Sequence, residues 1–164
     1  MNSFIPAVMD IEASGFGQES YPIEIGVIFD NGEKYCQLIK PEKNWTHWDT
    51  KAEALHRISR RVIETQGASA KIVANELNER LGDITVYSDC WTVDKPWLDK
   101  LFHAAQLQPT FKLRAIEMIM DEPQWNSWAD THAGLVADNQ AKRHRASVDA
   151  ENIQRTWLKT KQRR

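Results

Sequence analysis

Residues 4–17 read FIPAVMDIEASGFG, an apolar run that ends in two acidic residues and a glycine-containing turn. The pattern predicts a first β-strand over residues 4–13. Because successive strand side chains point to opposite faces, Asp10 and Glu12 share one face, and Met9 points the other way, toward a core. Two adjacent carboxylates repel each other unless a cation lies between them, so the stretch favours a site for a hard divalent cation. The simpler alternative is that the strand ends here and both acids face water.

Composition and charge are those of an ordinary soluble protein. Of 164 residues, 41% are hydrophobic and 27% charged, which fits one domain over residues 1–164 with a substantial core. The formal net charge of −2 excludes a generally basic nucleic-acid coat, so a polyanionic partner must be held locally, by metal or by a patch. Cys36 and Cys90 form neither a metal-ligand spacing nor a disulfide framework. Without a signal-peptide pattern or an apolar run of membrane-spanning length, we expect a cytoplasmic location and no membrane partner.

The rest of the chain predicts an α/β fold. Two strands, over residues 22–29 and 33–39, flank Asn31-Gly32, a strong hairpin signal in which both residues can adopt positive φ. The chain thus opens with an antiparallel three-stranded meander. Later patterns predict strands at 84–87 and 111–113 and helices at 52–56, 69–81, 94–105, 123–136 and 147–159. Asp94 is expected to cap its helix. A mixed five-stranded sheet with helices on its faces follows.

The last helix carries an apolar stripe with an acid beside it. The apolar residues recur at helical spacing, at Ala146, Ala150, Ile153 and Trp157. The helix should therefore pack on the sheet, and Asp149, about 100° from Ala150, should border the buried stripe. His144 is about 140° from Asp149 on a continuous helix, so the two meet only if His144 lies on a preceding loop, for which the polar run 139–143 is suited. Otherwise Asp149 is a first-turn acid stabilised by the helix dipole, and His144 is a solvated surface residue.

Three acidic motifs occur in order along the chain. They are Asp10-Ile11-Glu12-Ala13-Ser14-Gly15, then Asp94 followed by Trp97-Leu98, and finally His144 with four intervening residues before Asp149. Residues 22–26, PIEIG, and 56–59, HRIS, add to the pattern. Together these segments resemble the DEDDh group of 3′–5′ exonucleases, which includes RNase T, exonuclease X and the proofreading subunit of DNA polymerase III. The resemblance covers nearly the whole chain and implies an RNase H-like fold, in agreement with the sheet expected above.

The resemblance implies a phosphodiesterase site with two Mg²⁺ or Mn²⁺ ions. Asp10, Glu12 and Asp149 would ligate the ions directly, with Asp10 bridging them, and Asp94 would ligate through water. A carboxylate-rich set with one imidazole and no thiolate suits these ions better than zinc. His144 would be the general base that takes a proton from the attacking water.

The resemblance also implies the substrate and how it is held. The substrate would be the 3′ end of single-stranded DNA or RNA, shortened with release of nucleoside 5′-monophosphates. The backbone of Ser14, Gly15 and Phe16 would contact the terminal nucleotide, and the Phe16 ring would either stack on a base or plug the core. His56 would either approach the 3′ terminus or be a packed core residue. Several relatives are homodimers, so a homodimer is also considered.

One position departs from the pattern of the group. Residues 87–94 read YSDCWTVD, and Asp89 stands where the group usually has Asn. Asp89 also competes with Asp94 for the role of the motif acid. We prefer Asp94, because Trp97-Leu98 follows it as in the group. An additional carboxylate at position 89 would alter the electrostatics beside the metals.

Other aromatic and basic residues have less specific interpretations. Trp45 and Trp48 either close the core or stack on bases. Arg143 and Arg145 flank the expected base and either contact phosphate or are solvated. His132 is assigned no role.

Two rival functions come from different classes. One is a catalytically silent nuclease-fold module that binds nucleic acid or a protein partner, and the other is a metal-dependent phosphohydrolase acting on a small molecule. The five filled positions of the motifs argue against a silent module.

Overall fold

The computed structural model describes residues 4–138 and 144–161 of the 164-residue chain. The strands are β1 (Ala7–Ala13), β2 (Pro22–Ile28), β3 (Lys34–Leu38), β4 (Thr85–Ser88) and β5 (Lys112–Ala115). The helices are α1 (Thr50–His56), α2 (Arg60–Gln66), α3 (Ala70–Leu81), α4 (Trp91–Ala105), α5 (Glu122–Asp138) and α6 (Ala146–Lys161), with a 3₁₀ helix at Ile116–Ile119. None of the helices within these ranges is long and apolar enough to cross a membrane.

The five strands form one mixed sheet in the order β3-β2-β1-β4-β5. β1 pairs with β2, and β2 with β3, in antiparallel fashion, so the predicted three-stranded meander is confirmed. β4 lies parallel to β1 on its other side, and β5 lies parallel to β4. The predicted α/β fold, a mixed five-stranded sheet with helices packed on its faces, is therefore confirmed, with β1 at its centre.

The alternation along β1 divides the core in two. Met9 and Ile11 are buried in the larger cluster, together with residues of α3 and α4. Val8 is buried in a smaller cluster that contains Ile153 and Trp157 of α6. The face of β1 that carries Val8, Asp10 and Glu12 is therefore the face on which α6 packs.

The hairpin between β2 and β3 forms at the predicted place but with a different turn. Gly32 has φ of +84°, whereas Asn31 is not among the residues with positive φ. The Gly32 N–H donates to the Phe29 carbonyl at 3.1 Å, and the Phe29 N–H donates to the Glu33 carbonyl at 2.9 Å. This pattern is that of a longer loop, in which a turn of ordinary φ is followed by one left-handed glycine.

The helix that carries Asp94 begins earlier than predicted. α4 starts at Trp91, so Asp94 lies in its first turn, and the prediction that Asp94 caps the helix is wrong. The reason is local, since the Ser88 hydroxyl accepts the Cys90 N–H and donates to the Asp94 carboxylate. This bridge folds the chain into a helical turn immediately after β4, before the position that sequence reasoning gave to the cap.

The tryptophans of the loop before α1 belong to the core. Trp45 is buried and stacks on Tyr21 at a ring-centroid distance of 5.3 Å. Trp48 is half-buried against the same core, and its indole N–H donates to Glu53 at 2.6 Å. Of the two interpretations from sequence, the structure therefore supports core closure over base stacking for this pair.

Candidate active site

The carboxylates of β1 lie where the central strand ends. Asp10 is opposite Gly26 and Glu12 is opposite Glu24 in the β1–β2 ladder. Both acids are half-buried, in contrast to the fully buried residues that alternate with them. Pairing of β1 with β2 at both positions thus fixes the backbone that carries these two side chains.

Two aspartates from the β4–α4 segment join Asp10. One carboxylate oxygen from each of Asp10, Asp89 and Asp94 lies within 4.8 Å of the other two. Asp94 is only 2% exposed, and the Ser88 hydroxyl donates a hydrogen bond to it. Sequence reasoning treated Asp89 and Asp94 as competitors for one role, whereas the structure places both beside Asp10.

The start of α6 adds a second group next to the first. One ligand atom from each of Glu12, His144 and Asp149 lies within 4.8 Å of the other two. His144 precedes the helix, as predicted, and its backbone N–H donates to an Asp149 carboxylate oxygen at 3.1 Å. The predicted loop 139–143, including Arg143, lies outside the described residues.

Burial and mutual repulsion dominate the electrostatics of these acids. The pKa of Asp10 is raised well above its usual value by burial, and then by the negative charges of Asp94, Glu12 and Asp149. Burial, with repulsion from Asp149, raises the pKa of Glu12 to about 8. Burial raises the pKa of Asp94 to about 7, although the hydrogen bond from Ser88 opposes this change. Without a cation, the acids therefore cannot all be ionised at neutral pH.

The donor set fits divalent cations. Within the described residues, the two groups offer carboxylate oxygens from Asp10, Glu12, Asp89, Asp94 and Asp149 and a single imidazole, and neither group contains a thiolate. Oxygen-rich sets of this kind suit hard cations such as Mg²⁺ and Mn²⁺. A bound cation would also offset the repulsion that raises the pKa values of these acids.

Asp89 adds charge to one side of the site. Burial raises its pKa to about 6, with a further contribution from the negative charge of Glu117 in the 3₁₀ helix. Sequence reasoning anticipated this additional carboxylate but not Glu117, which the folding of the chain after β5 brings close to Asp89. The side of the site that carries Asp89 is therefore more acidic than the motif residues alone would make it.

A buried ion pair holds the other side of the site. Glu24 of β2 is fully buried and binds the Arg145 guanidinium through both oxygens, with a closest distance of 2.6 Å. The backbone N–H of Ala146 also donates to Glu24, at 2.8 Å. Arg145 therefore pairs with a residue of the sheet, an arrangement that neither of its two sequence interpretations included.

His132 is a residue of the site that sequence reasoning missed. It lines a cavity of about 150 Å³ with Asp10, Asp89, Val136, His144, Asp149 and Ile153. Its Nδ1 atom is 3.0 Å from the Thr156 hydroxyl, and its ring stacks on Trp128 at 6.3 Å between centroids. Trp128 and His132 are four residues apart on α5, so the sequence shows that they share a helix face. Only the packing of α5 against α6 shows that this face reaches the site.

Three residues after β1 are predicted to contact the substrate. Phe16 is exposed, whereas Ser14 and Gly15 are buried. Phe16 is 70% exposed, which excludes the core-plug interpretation. Gly15 is buried, and a Cβ atom there would lie 2.5 Å from His47, so its missing side chain makes room for the loop before α1. The Ser14 N–H donates to the Tyr21 carbonyl, and the Ser14 carbonyl accepts from Asp49. The backbone of Ser14 is therefore engaged within the protein.

His56 is packed in the interior. It is 3% exposed, and its Nδ1 atom accepts the Ile58 N–H at 3.1 Å. The Trp48 ring meets it edge-on at 6.2 Å. Burial is the first cause of its lowered pKa, so a neutral imidazole is favoured. The structure thus agrees with the packed-residue interpretation of His56.

Comparisons with known proteins give matches among solved structures. No family model matches the chain, and no curated protein sequence matches it significantly. Escherichia coli exonuclease I in complex with a dA16 oligonucleotide aligns with a TM-score of 0.73 and 13% identity, over 95% of this chain and 41% of that one. The zinc-bound form of the E. coli exonuclease I–single-stranded DNA complex aligns with a TM-score of 0.73 and 14% identity, over 96% of this chain and 41% of that one.

A third solved structure gives the same result. A moderately thermophilic exonuclease I from Methylocaldum szegediense aligns with a TM-score of 0.74 and 12% identity, over 96% of this chain and 40% of that one. The chain thus spans about two fifths of the length of the exonuclease I chains that it matches. The predicted resemblance to the DEDDh exonucleases is confirmed at the level of the fold: the chain has an RNase H-like nuclease fold similar to that of exonuclease I.

Proposed function

We propose that the chain is a metal-dependent 3′–5′ exonuclease domain acting on single-stranded nucleic acid. The observation that carries this proposal is the convergence of Asp10, Glu12, Asp94, Asp149 and His144, which come from three separate parts of the sequence. In the fold of a nuclease, a cluster of acids beside one imidazole is the set expected for phosphodiester hydrolysis.

The four acids would hold a pair of Mg²⁺ or Mn²⁺ ions. Asp10, Glu12 and Asp149 would be direct ligands, and Asp94, which is buried and hydrogen-bonded to Ser88, would act through water. When bound, the ions would lower the pKa of the attacking water and stabilise charge on the leaving 3′ oxygen. The crowding of Asp10 with Asp94, Glu12 and Asp149 supports this assignment, because these negative charges add to the effect of burial in raising the pKa of Asp10.

His144 would accept the proton of the attacking water. It lies within 4.8 Å of the ligand atoms of Glu12 and Asp149, and it precedes α6 instead of lying within it. An imidazole within reach of the attacking water is suited to this role. The hydrogen bond from its backbone N–H to Asp149 couples the position of the base to that of a proposed metal ligand.

The substrate proposed is the 3′ end of a single strand of DNA or RNA. Two solved neighbours are exonuclease I complexes with dA16 and dT13 oligonucleotides, which supports a single strand as the substrate class. The exposed Phe16 ring offers a stacking face next to β1, and the backbone of Gly15 and Phe16 would contact the terminal nucleotide. We propose that His56 supports this region from beneath, since it is buried. DNA and RNA would differ through contacts to the 2′-hydroxyl.

A 5′-labelled single strand with a free 3′-hydroxyl, incubated with Mg²⁺ or Mn²⁺, tests the proposal. We expect a ladder of products shortened from the 3′ end and the release of nucleoside 5′-monophosphates. A strand with a blocked 3′ end should remain intact. Asp10→Asn should be inactive, whereas Asp99→Asn, which changes an exposed aspartate of α4, should retain full activity. Internal cleavage of the blocked strand would contradict the proposal.

The same assay separates the rival functions. A silent module would bind the oligonucleotide without shortening it under any metal condition. A phosphohydrolase would turn over a small phosphate ester or a nucleotide and leave both strands intact. Matched DNA and RNA strands, assayed with Mg²⁺, Mn²⁺ and Zn²⁺ in parallel, would also identify the preferred sugar and the metal.

A further inference from the structure

Glu24 lies at the junction between the sheet and the catalytic end of α6. It faces Glu12 across the β1–β2 ladder, and its side chain is 1% exposed. A buried carboxylate is costly unless it is paired and hydrogen-bonded. Here the Arg145 Nε and Nη2 groups and the Ala146 N–H all donate to it, at 2.6–3.1 Å. The buried charge is thus matched by donors that come from the residues at the start of α6.

The backbone of β2 makes room for this contact. A Cβ atom on Gly26 would lie 2.2 Å from the Ser147 backbone nitrogen and 2.3 Å from the Ala146 carbonyl carbon. Only a residue without a side chain lets α6 begin directly on β2. Glu24 and Gly26, which are adjacent on one face of the strand, therefore fix the first turn of α6 against the sheet.

The residue before the ion pair has an unusual backbone. His144 has φ of +62°, a left-handed conformation that costs a residue with a side chain about 1 kcal/mol or more. Such a conformation persists only where its surroundings hold it. On one side the His144 N–H donates to Asp149, and on the other side Arg145 is bound to Glu24. The two contacts thus flank the left-handed residue whose imidazole lies beside Glu12.

We propose that Glu24, acting through Arg145, is the positioning residue of the His144–Asp149 pair. This inference rests on the proposed function, because it assigns a consequence for turnover to that pair. Arg145 binds Glu24 as a fork, so lysine, which retains the charge but not the paired donors, cannot reproduce the geometry. Loss of the fork releases the left-handed turn and moves the base relative to Glu12.

Arg145→Lys and Glu24→Gln test the inference, with Glu151→Gln as the matched control. Glu151 also joins α6 to the sheet, since its carboxylate forms an ion pair with Lys34 of β3 at 2.6 Å. It lies further along α6 than the His144–Asp149 pair. We expect Arg145→Lys to lower kcat about 10- to 100-fold, with the KM for the oligonucleotide and the Mn²⁺ affinity each changed less than about twofold. The control should leave kcat unchanged. A purely stabilising role would lower the melting temperature and leave kcat of the folded protein intact, which would overturn the inference.

Amide hydrogen exchange at His144 provides a readout that does not depend on activity. Its N–H is hydrogen-bonded to Asp149, so it should exchange faster in Arg145→Lys than in the wild type or in Glu151→Gln. If the wild type degrades no strand but this protection is lost in the variant, the proposed function fails and the positioning role stands. If the wild type degrades strands and neither kcat nor exchange changes in the variant, the positioning role fails and the function stands. Should Glu24→Gln not fold, Arg145→Lys carries the test alone.

Discussion

The two halves of the candidate site are built in different ways. Asp10 and Glu12 are carried by the central strand, at positions that pair with β2, the next strand along the chain. His144 and Asp149 are carried by a left-handed turn and a helix, which are held by contacts between distant parts of the chain. Glu24 and Arg145, for instance, are 121 residues apart. The strand half follows from local pairing, whereas the helix half depends on long-range contacts.

This difference has consequences for substitutions. A change in the strand half should remove a metal ligand without moving the backbone, because the sheet holds it. A change in the helix half should alter geometry as well as chemistry.

Asp10→Asn should have the largest effect. The carboxylate belongs to one group of acids and interacts electrostatically with Glu12 and Asp149 of the other. Metal-dependent stabilisation is worth several kcal/mol, so we expect kcat to fall about a thousandfold or more. Calorimetric titration with Mn²⁺ should show weakened binding, while the melting temperature of the metal-free variant should be equal to or above that of the wild type, because one repulsive charge is gone. A metal-free variant that is much less stable would show that Asp10 supports the strand.

His144→Ala should lower kcat about a hundredfold, as expected for loss of a general base. The affinity for Mn²⁺ should change little, because the carboxylates remain. This split between turnover and metal binding separates the two halves of the site. Equal losses of metal affinity in His144→Ala and Asp10→Asn would show that the imidazole is a ligand and would contradict the assigned role.

The strand half should also dominate the pH dependence of stability. The pKa of Glu12 is raised to about 8 from an ordinary 4.5, so between these pH values the native chain holds a proton that the unfolded chain has released. The free energy of unfolding of the metal-free protein should therefore fall as pH rises through this window. Asp94, with a pKa raised to about 7, adds to the same slope.

Divalent cations should oppose this loss of stability, because they bind the deprotonated carboxylates. The rise in melting temperature on addition of Mg²⁺ should thus be larger at about pH 8 than at about pH 5, by several degrees. Calorimetry with Mg²⁺ or with chelator measures the shift. The same shift at both pH values would contradict the coupling between metal and carboxylate charge.

The same comparison explains what the sequence could and could not predict. The alternation of residues 4–13 predicts the placement of Asp10 and Glu12, and the stripe of α6 predicts that Asp149 borders the core; the structure agrees with both placements. The roles of Arg145 and Glu24 as a pair were not predictable, since each alone is an ordinary polar residue on an expected element. To predict that they pair, one would have to know that α6 begins on β2.

Two local details were also missed for physical reasons. Asp94 has the features of an N-cap, but the hydrogen bonds made by the Ser88 hydroxyl start α4 one turn sooner. Asn31-Gly32 has the composition of a two-residue turn, but only Gly32 adopts positive φ. The decisive hydrogen bonds, from a side-chain hydroxyl in the first case and between backbone groups in the second, are not part of residue propensity.

His132→Ala, which changes a side chain beside the helix half of the site, should lower activity moderately. The side chain lines the cavity with Asp10 and His144, so its loss should remove a polar contact to the bound strand and lower kcat/KM about tenfold. His103→Ala, which changes an exposed histidine of α4, is the control and should have no effect. Equal activity of the two variants would exclude His132 from substrate contact.

Phe16→Ala should have the smallest effect and should be confined to binding. The ring is 70% exposed, so its removal should leave the fold unchanged, and loss of stacking on one base costs about 1 kcal/mol, or about a fivefold rise in KM. Leu55→Ala, at another exposed apolar residue, should leave KM unchanged. If kcat falls instead while KM is constant, Phe16 positions the strand end and not the nucleotide. The strand half would then also depend on its flanking loop, and the contrast with the helix half would be smaller than the ladder geometry indicates.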